Sequence, residues 1–395
     1  MNSASAFFKS FLPDRNAPIV YHLARLTRLL LLPIAKLKFR GKEVWLVCER
    51  GVDARDNGYH MFRYLRTEHP EIEAWYLITP DSPDLKKISG LGNIAFRGSL
   101  NHWLVYISAT KILTAFQPYY IPSSNRRFAL EVTHKNNLKT VFLQHGVIYN
   151  DFPVYHRERT VFDLFICGAK PEYDFVSSHF HYVNGEVRYT GLARFDALHQ
   201  FETKPQILIM PTFRRWLEKA SAEDFAQSEY AGRWSRLINH PALAALAEKH
   251  HVKILFYPHH LMQPHIAHFT SSSESVIICD RRSHDVQPLL KESLLLVTDY
   301  SSVHTDFAYM KKPLLYYQFD EEEVFTRHYG RGYYDYHTMG FGECVTEEDA
   351  LLRLIEEYLD NGCVMKPQYR KRLEGFFQLY DTHNRERIYN EIRSL

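Results

Sequence analysis

The 395-residue chain contains only five cysteines, and no two of them stand close together in the sequence. No CxxC pair is present, so the cysteines indicate neither a zinc site nor a disulfide framework. Their wide spacing predicts buried thiols in a protein of a reducing compartment. The five are Cys48, Cys167, Cys279, Cys344 and Cys363.

The chain also lacks a large excess of either charge, because its formal net charge is +2. A general nucleic-acid binder should carry a concentrated basic face, so nucleic acid is not an expected partner. Apolar residues make up 45% and charged residues 24%, which excludes a disordered chain. The length exceeds the size at which a single hydrophobic core usually stops growing, so two domains are expected.

Acidic residues are absent from Arg15 to Lys42, a segment rich in leucine and basic residues. Its apolar run is shorter than the roughly 20 residues that span a bilayer, and no small-residue cleavage site follows it. The segment predicts a basic amphipathic helix on an anionic membrane surface. The alternative is a helix docked on the domain with a solvated basic edge, and Pro33 interrupts the amphipathic pattern.

Strand and helix patterns alternate along the rest of the chain, which predicts parallel sheets with helices on both faces. Helices are expected at Tyr59 to Arg66 and Trp103 to Ser108. A boundary is expected near Leu198 to Pro205, giving segments 1–42, 43–200 and 201–395. The predicted strands are Val44 to Cys48, Ala74 to Ile78, Lys111 to Ala115, Thr140 to Leu143, Asp163 to Cys167, Ile207 to Met210, Lys253 to Tyr257, Val276 to Cys279, Leu294 to Thr298 and Leu314 to Tyr316.

Small hydroxyl residues follow the strand in LLLVTDYSSVHTDFAYMKKP, at Leu294 to Pro313. Free N–H groups and the helix dipole at such a turn favour an anion, so Ser301 and Ser302 predict a phosphate site. The alternative is that one of these serines simply caps the helix.

Three more strands end in residues suited to binding or catalysis. The first delivers His145 and Gly146 in KTVFLQHGVIY, the second Thr212 and Arg214 in QILIMPTFRRW, and the third His259 in VKILFYPHH. All lie where open α/β sheets bind ligands, beyond the carboxyl ends of strands. The alternatives are a core histidine at 145, a surface histidine at 259, and a surface ion pair between Arg214 and Glu218.

Six ordered segments together resemble the CDP-glycerol glycerophosphotransferase family of teichoic-acid and capsule synthesis. They are ERGVDARDNGYHMFRYLR from Glu49, LQHGV from Leu143, TGLARFD from Thr190, MPTFRR from Met210, YPHH from Tyr257, and the long segment from Asp285 to Asp320. The resemblance covers about Glu49 to Asp335. It implies a GT-B fold of two Rossmann-like domains, with the acceptor entering from residues 43–200 and the CDP donor held mainly by residues 201–395.

The resemblance also implies a peripheral enzyme on the cytoplasmic face of the bacterial inner membrane, acting on a lipid-linked or linker glycan. The family's two histidines fall on His145 and His259, and its serine pair falls on Ser301 and Ser302. The chain departs from the family in having Val147 where a threonine is usual. It also has a second histidine, His260, which is a rival to His259.

Transfer of glycerol phosphate needs a base for the acceptor hydroxyl and hydrogen-bond donors around the pyrophosphate. His145 is the predicted base, since a neutral imidazole accepts a proton near neutral pH. His259 is expected to donate to the leaving phosphate, with Gly146, Thr212, Arg214, Ser301 and Ser302 as further donor-binding residues. No Asp-x-Asp pair stands at a strand end, so no tightly bound metal is expected, and an assisting Mg²⁺ ion would enter with the donor.

The expected reaction releases CMP, and the chain contains little beyond the two predicted domains, which favours a primase that adds one or a few units. CDP-ribitol remains an alternative donor. A GT-B nucleotide-sugar glycosyltransferase, which would release a nucleoside diphosphate such as UDP, is a second alternative. The third is a membrane-bound scaffold that only binds a polyanionic glycan.

Overall fold

The computed structural model describes residues 18–116, 120–123, 127–129, 131–132, 137–183, 185–328 and 330–395. Arg15, predicted as part of the basic segment, lies outside the described residues. Two parallel sheets dominate the fold, and each is the centre of one lobe.

The first sheet has seven strands in the order β3-β2-β1-β4-β5-β6-β7, and every neighbouring pair is parallel. The order reverses between β1 and β4, which is where doubly wound sheets open a crevice for ligands. The strands are β1 (Glu43–Cys48), β2 (Ile72–Ile78), β3 (Ile94–Phe96), β4 (Lys111–Thr114), β5 (Lys139–Phe142), β6 (Leu164–Cys167) and β7 (Val187–Tyr189).

The second sheet repeats this plan with six parallel strands in the order β10-β9-β8-β11-β12-β13. Its order reverses between β8 and β11. The strands are β8 (Gln206–Ile209), β9 (Lys253–Phe256), β10 (Val276–Ile278), β11 (Leu295–Thr298), β12 (Leu314–Tyr317) and β13 (Gly342–Val345).

Helices cover both sheets, and 3₁₀ turns lie at Pro153–Tyr155, Arg157–Arg159 and Ala193–Leu198, among others. In chain order the helices are α1 (Pro18–Lys38), α2 (Asn57–Glu68), α3 (Leu85–Ile88), α4 (Leu100–Ser108), α5 (Lys170–His179), α6 (Ala222–Ala226), α7 (Glu229–Ile238), α8 (Pro241–Lys249), α9 (Val286–Glu292), α10 (Val303–Tyr309), α11 (Glu321–Arg327), α12 (Tyr336–Met339), α13 (Glu348–Asp360), α14 (Pro367–Phe376) and α15 (Asn384–Arg393).

Helix α1 docks on the first lobe by one face and leaves an apolar face in solvent. The hydroxyl of Tyr21 donates to Glu131 over 2.8 Å, and Ala24 and Ala35 are buried. Arg28, which lies in the predicted basic segment, is buried as well. The exposed face carries large side chains that are at least half exposed, namely Ile19, Leu23, Leu26, Leu29, Leu30, Ile34 and Leu37.

At 21 residues α1 is longer than the apolar run in the sequence, because the helix continues through Pro33. By length and composition it could cross a membrane, and it is the one helix of this kind in the described part of the chain. Its docked face would be hard to bury in lipid, since it includes polar groups bonded to the first lobe.

The last helix returns from the second lobe to the first. Asp196 accepts hydrogen bonds from the backbone N–H and the side-chain amide of Asn384, and Lys111 Nζ donates to the carbonyl of Ile392 over 2.7 Å. The Tyr389 ring stacks on His69 at 3.6 Å. The two lobes are therefore held together by α15 as well as by the contacts across the cleft.

Candidate active site

A cavity of about 220 Å³ lies between the lobes, where the loops at the carboxyl ends of both sheets meet. Four of the predicted side chains, those of His145, His259, Ser301 and Ser302, line it together with His260. The other lining residues are Glu49, Arg50, Asp53, Arg55, Asp56, Phe116, Arg194, Leu198, Met210, Tyr257, Arg281, Asp285, Val286, Gln287, Leu290, Val303 and Asp306.

His145 lies on the loop after β5, one residue beyond a strained position. Gln144 has a φ of 66°, in the left-handed region that few residues other than glycine adopt. The His145 ring stacks on Phe116 with its centroid 4.8 Å away. Burial, together with the charges of Arg50 and Arg194, lowers the pKa of His145 to about 3. The imidazole is therefore neutral at pH 7, and the same burial makes it a weaker base than a free imidazole.

The buried side chain of Glu172, whose pKa is raised by burial to about 8, fixes the ends of the loop that carries His145. Glu172 Oε1 accepts from the Gln144 amide over 2.7 Å and from the N–H of Ile148 over 2.6 Å. Its Oε2 accepts from the N–H of Gly168 over 2.6 Å. Because residues on both sides of His145 are bonded to one side chain on α5, the direction of the imidazole depends on Glu172.

We expect Glu172→Gln to lower kcat about tenfold or more while the KM for the donor changes little. An amide nitrogen would face backbone N–H groups that need an acceptor, at a cost of about 1–3 kcal/mol in unfolding free energy. The loop would relax, and a displaced catalytic group loses rate steeply. Steady-state kinetics and urea unfolding measure the two effects. The control is Asp174→Asn, an exposed change on the same helix. It should lower neither kcat nor the unfolding free energy.

His259 and His260 follow β9 and face the cavity from the second lobe. The His259 ring stacks on Phe213 at 4.7 Å and lies 4.1 Å from the His260 ring. Burial, with Arg50 nearby, lowers the pKa of His259 to about 3. Burial and the neighbouring His259 lower the pKa of His260 still further. Both side chains line the cavity, so both remain candidates for the predicted hydrogen bond to the leaving phosphate.

Ser301 and Ser302 lie between β11 and α10, and Ser302 directly faces the first lobe. Ser302 is the residue before α10, but its side chain makes no capping hydrogen bond. A Cβ at Gly146 would lie 2.8 Å from Ser302 Oγ. Only glycine lets the β5 loop approach this serine so closely. The predicted anion turn of one lobe and the predicted base of the other are therefore neighbours.

Thr212 and Arg214 do not line the cavity. Arg214 is fully buried, and its guanidinium pairs with Asp320 (Nε–Oδ2, 2.7 Å) and with Asp299 (Nη2–Oδ2, 2.9 Å). The sequence alternative, a surface pair with Glu218, is therefore wrong. The Thr212 N–H donates to Asp299 Oδ1 over 2.8 Å. Both residues are therefore bonded to the buried acidic side chains that follow β11 and β12.

An ion-pair network missing from the sequence prediction joins the lobes beside His145. Arg194 binds Asp306 through Nε and Nη2, at 2.5 and 2.7 Å, and Asp56 through Nη1 at 2.8 Å. The amide of Asn57 donates to the Gln144 carbonyl over 2.8 Å and accepts from the Arg194 N–H over 3.0 Å. Asp56, Asn57 and Arg194 lie within two of the recognised motifs, but only the fold shows that they meet.

Charged groups of both signs line the rest of the cavity. Arg281 of the second lobe reaches Asp53 of the first over 3.3 Å, and Arg50 lies 3.7 Å from the same carboxylate. Burial and the neighbouring Asp56 raise the pKa of Glu49 to about 8, which reduces the negative charge at neutral pH. Arg50 and Arg281 are the cations nearest solvent in the cavity, and a bound anion would compete with Asp53 for them.

Acid should destabilise the protein because several histidines are buried in their neutral form. Burial lowers the pKa of His60 and His304 to about 3 and that of His102 to about 4. The unfolded chain binds protons first, so stability is complete above about pH 6.5 and falls as the pH drops towards 4. Each histidine contributes a slope of about 1.4 kcal/mol per pH unit.

Urea unfolding at pH 7.5, 6.0 and 5.0 measures this slope. His102 is a suitable site for a control, since its Nδ1 accepts from the Gly98 N–H over 3.0 Å and its Nε2 lies 2.8 Å from the Tyr120 carbonyl. The variant His102→Gln lacks this imidazole. Its unfolding free energy should therefore depend less steeply on pH, by the contribution of one bound proton. Equal unfolding free energies at all three pH values would contradict the buried neutral histidines.

Two Rossmann-like lobes facing each other across a cleft define the GT-B class, and the predicted two-lobed α/β fold is confirmed. A structure of the wall teichoic acid polymerase TagF superposes with a TM-score of 0.65 at 18% identity, covering 94% of this chain and 97% of that chain. At this identity the likeness shows the fold alone.

The family model described as CDP-Glycerol:Poly(glycerophosphate) glycerophosphotransferase matches residues 30–394, and the chain belongs to this family. The minor teichoic acid biosynthesis protein GgaB of Bacillus subtilis is 33% identical over 370 residues, which are 90% of this chain and 40% of GgaB. The teichoic acid ribitol-phosphate polymerase TarK of Staphylococcus aureus is 27% identical over 199 residues, half of this chain and 35% of TarK. The chain thus spans well under half the length of these relatives.

Proposed function

We propose that this protein transfers glycerol phosphate from CDP-glycerol to a hydroxyl of a glycan or linker acceptor in teichoic-acid-like or capsule synthesis, releasing CMP. The observation that carries the proposal is the meeting of His145 from the first lobe with His259 and Ser302 from the second in one cavity. Membership in the glycerophosphotransferase family supports the donor.

In the proposed reaction the acceptor oxygen forms a bond to the β-phosphorus of the donor. The bond from that phosphorus to the oxygen bridging the two phosphates breaks, and CMP leaves with the electron pair. Neutral His145 takes the acceptor's proton. His259 donates a hydrogen bond to the departing phosphate, and Ser301, Ser302 and the N–H groups around them bind the phosphoryl oxygens. His260 is the second candidate for the role of His259.

We propose that residues 43–200 form the acceptor domain and residues 201–395 the donor domain, with α15 crossing back onto the former. Neutral histidines and N–H groups would stabilise the pyrophosphate, with any Mg²⁺ arriving on the donor. Adding EDTA and then Mg²⁺ to the reaction tests the contribution of the ion.

Incubating the pure protein with CDP-glycerol and a glycan acceptor should release CMP, which chromatography detects. UDP release from a nucleotide sugar would instead support a glycosyltransferase. Release of CMP from neither polyol donor, while the protein still binds a polyanionic glycan, would support a scaffold. CDP-ribitol is the second candidate donor because TarK is named a ribitol-phosphate polymerase. Comparing kcat/KM for the two CDP-polyols decides between them.

We propose that the reaction adds one or a few units, as a primase does. Incubation with excess CDP-glycerol followed by gel electrophoresis of the product tests the number of units. A ladder of long products would contradict the primase proposal without affecting the proposed chemistry.

We propose that α1 holds the protein on the cytoplasmic face of the bacterial inner membrane, where a lipid-linked acceptor is presented. Its apolar face is exposed while its opposite face is docked, and exposed Lys36 and Arg40 lie near the end of the helix. This arrangement fits a helix lying in an anionic lipid surface.

Leu30→Glu should weaken binding to vesicles that contain phosphatidylserine by about tenfold or more, because a buried leucine contributes about 1.5–3 kcal/mol. Vesicle co-sedimentation measures the binding. Val364→Glu replaces a similarly exposed residue of the second lobe and should leave binding unchanged. If both variants bind the vesicles as well as the wild type does, α1 does not form the membrane contact.

A further inference from the structure

A cluster of metal-binding side chains lies on the first lobe, apart from the residues that line the cavity. It consists of His156, Glu158 and His181, whose ligand atoms all lie within 4.8 Å of one another. His181 Nδ1 is 3.2 Å from Glu158 Oε2, and His156 Nδ1 is 3.7 Å from Glu158 Oε1. Two imidazoles and one carboxylate form a ligand set that suits Zn²⁺.

The other ring nitrogen of His156 is held by a carboxylate. His156 Nε2 lies 2.7 Å from Asp151 Oδ1. A proton on Nε2 leaves the lone pair of Nδ1 facing Glu158 and His181. Metal-ligating histidines usually donate their second N–H in this way, which fixes the tautomer and raises the basicity of the ligand.

The two segments that supply the ligands are tied to each other. The Arg157 N–H donates to the Phe180 carbonyl over 2.9 Å, and the Arg157 guanidinium pairs with Glu186 at 3.0 Å. The His156 ring packs on Phe180 with centroids 4.8 Å apart. His181 has a φ of 61°, a left-handed conformation that is costly for a side chain of this size. The ligands are thus positioned before any ion arrives.

We propose that His156, Glu158 and His181 bind a Zn²⁺ ion, with water completing the coordination and Asp151 orienting His156. No short metal-binding motif marks this site in the sequence, because His181 stands 23 residues after Glu158. The ion would fix the segment that includes Tyr155, whose ring lies 6.2 Å from the His145 ring. It would also fix Asp151, which pairs with Gly330 of the second lobe.

Isothermal titration of the chelator-treated full-length chain with ZnCl₂ tests the proposal without any activity measurement. The wild type should show one site that is lost in His181→Asn, a change at an exposed position. The control is His179→Asn, an exposed histidine at the end of α5 that lies outside the cluster, and it should keep the site. Asp151→Asn should weaken binding about 10–100-fold.

Co²⁺ gives a second readout, because a four-coordinate site produces intense visible absorption. This band should appear in the wild type and in His179→Asn and be missing in His181→Asn. Zinc binding that is equal in His181→Asn and the wild type would place the ion elsewhere, for example at the histidines of the cavity, and would overturn the proposal. No saturable binding by the wild type would also overturn it.

Discussion

Replacing His145 by alanine should lower kcat about 10²- to 10⁴-fold, the usual contribution of a positioned general base. The KM for CDP-glycerol should change little, because in the proposed mechanism the ring acts on the acceptor proton and the second lobe holds most of the donor. The loop itself should survive the change, since its bonds to Glu172 come from Gln144 and Ile148. CMP release under single-turnover conditions measures the chemical step.

His179→Ala is the matched control, since it removes an exposed imidazole from the same lobe and should leave kcat unchanged. Calorimetry should show that His145→Ala still binds CDP-glycerol. Turnover of His145→Ala within threefold of the wild type would exclude this residue as the base. Loss of donor binding in the variant would assign His145 to the donor instead.

Of the ten strands that the sequence predicted, nine lie inside the two sheets, and the tenth, β10, is at a sheet edge. The strands that it missed, β3, β7 and β13, are all at sheet edges. Each is three or four residues long with half-exposed positions, as in Val187–Tyr189. Arg188 and Glu343 interrupt β7 and β13, and β3 is apolar but only three residues long, so none shows the four- to eight-residue apolar run of a buried parallel strand.

Some residues of the candidate site could be predicted from the sequence, and others could not. His145, His259 and Ser302 could be predicted to meet, because parallel strands end at the same edge of a sheet and the two edges face each other. The partners of a charged residue depend on long-range packing. Arg194 contacts Asp306, 112 residues away, and no spacing in the sequence indicates that pair. Arg214 was predicted to bind the donor for the same reason, because its partners Asp299 and Asp320 are distant in the sequence.

Replacing Arg214 by methionine should lower the unfolding free energy by about 3–5 kcal/mol, the usual result of removing one partner from a buried ion pair. Asp299, which is fully buried, and Asp320, whose side chain is 5% exposed, would lose their cation. Burial already raises the pKa of Asp299, and the Arg214 charge opposes that rise. Without the guanidinium, Asp299 should take up a proton at higher pH, so the variant should be least destabilised in mild acid.

Urea unfolding of Arg214→Met at pH 7.5 and 6.0 measures both effects. Arg215→Met is the control, because it changes the next residue in the chain, which is exposed, and should cost little. If Arg214→Met instead kept the wild-type unfolding free energy and lost CDP-glycerol affinity, the guanidinium would be a donor contact after all. The pairs with Asp299 and Asp320 favour the structural role, because Nε and Nη2 of the guanidinium are already bound to these two carboxylates.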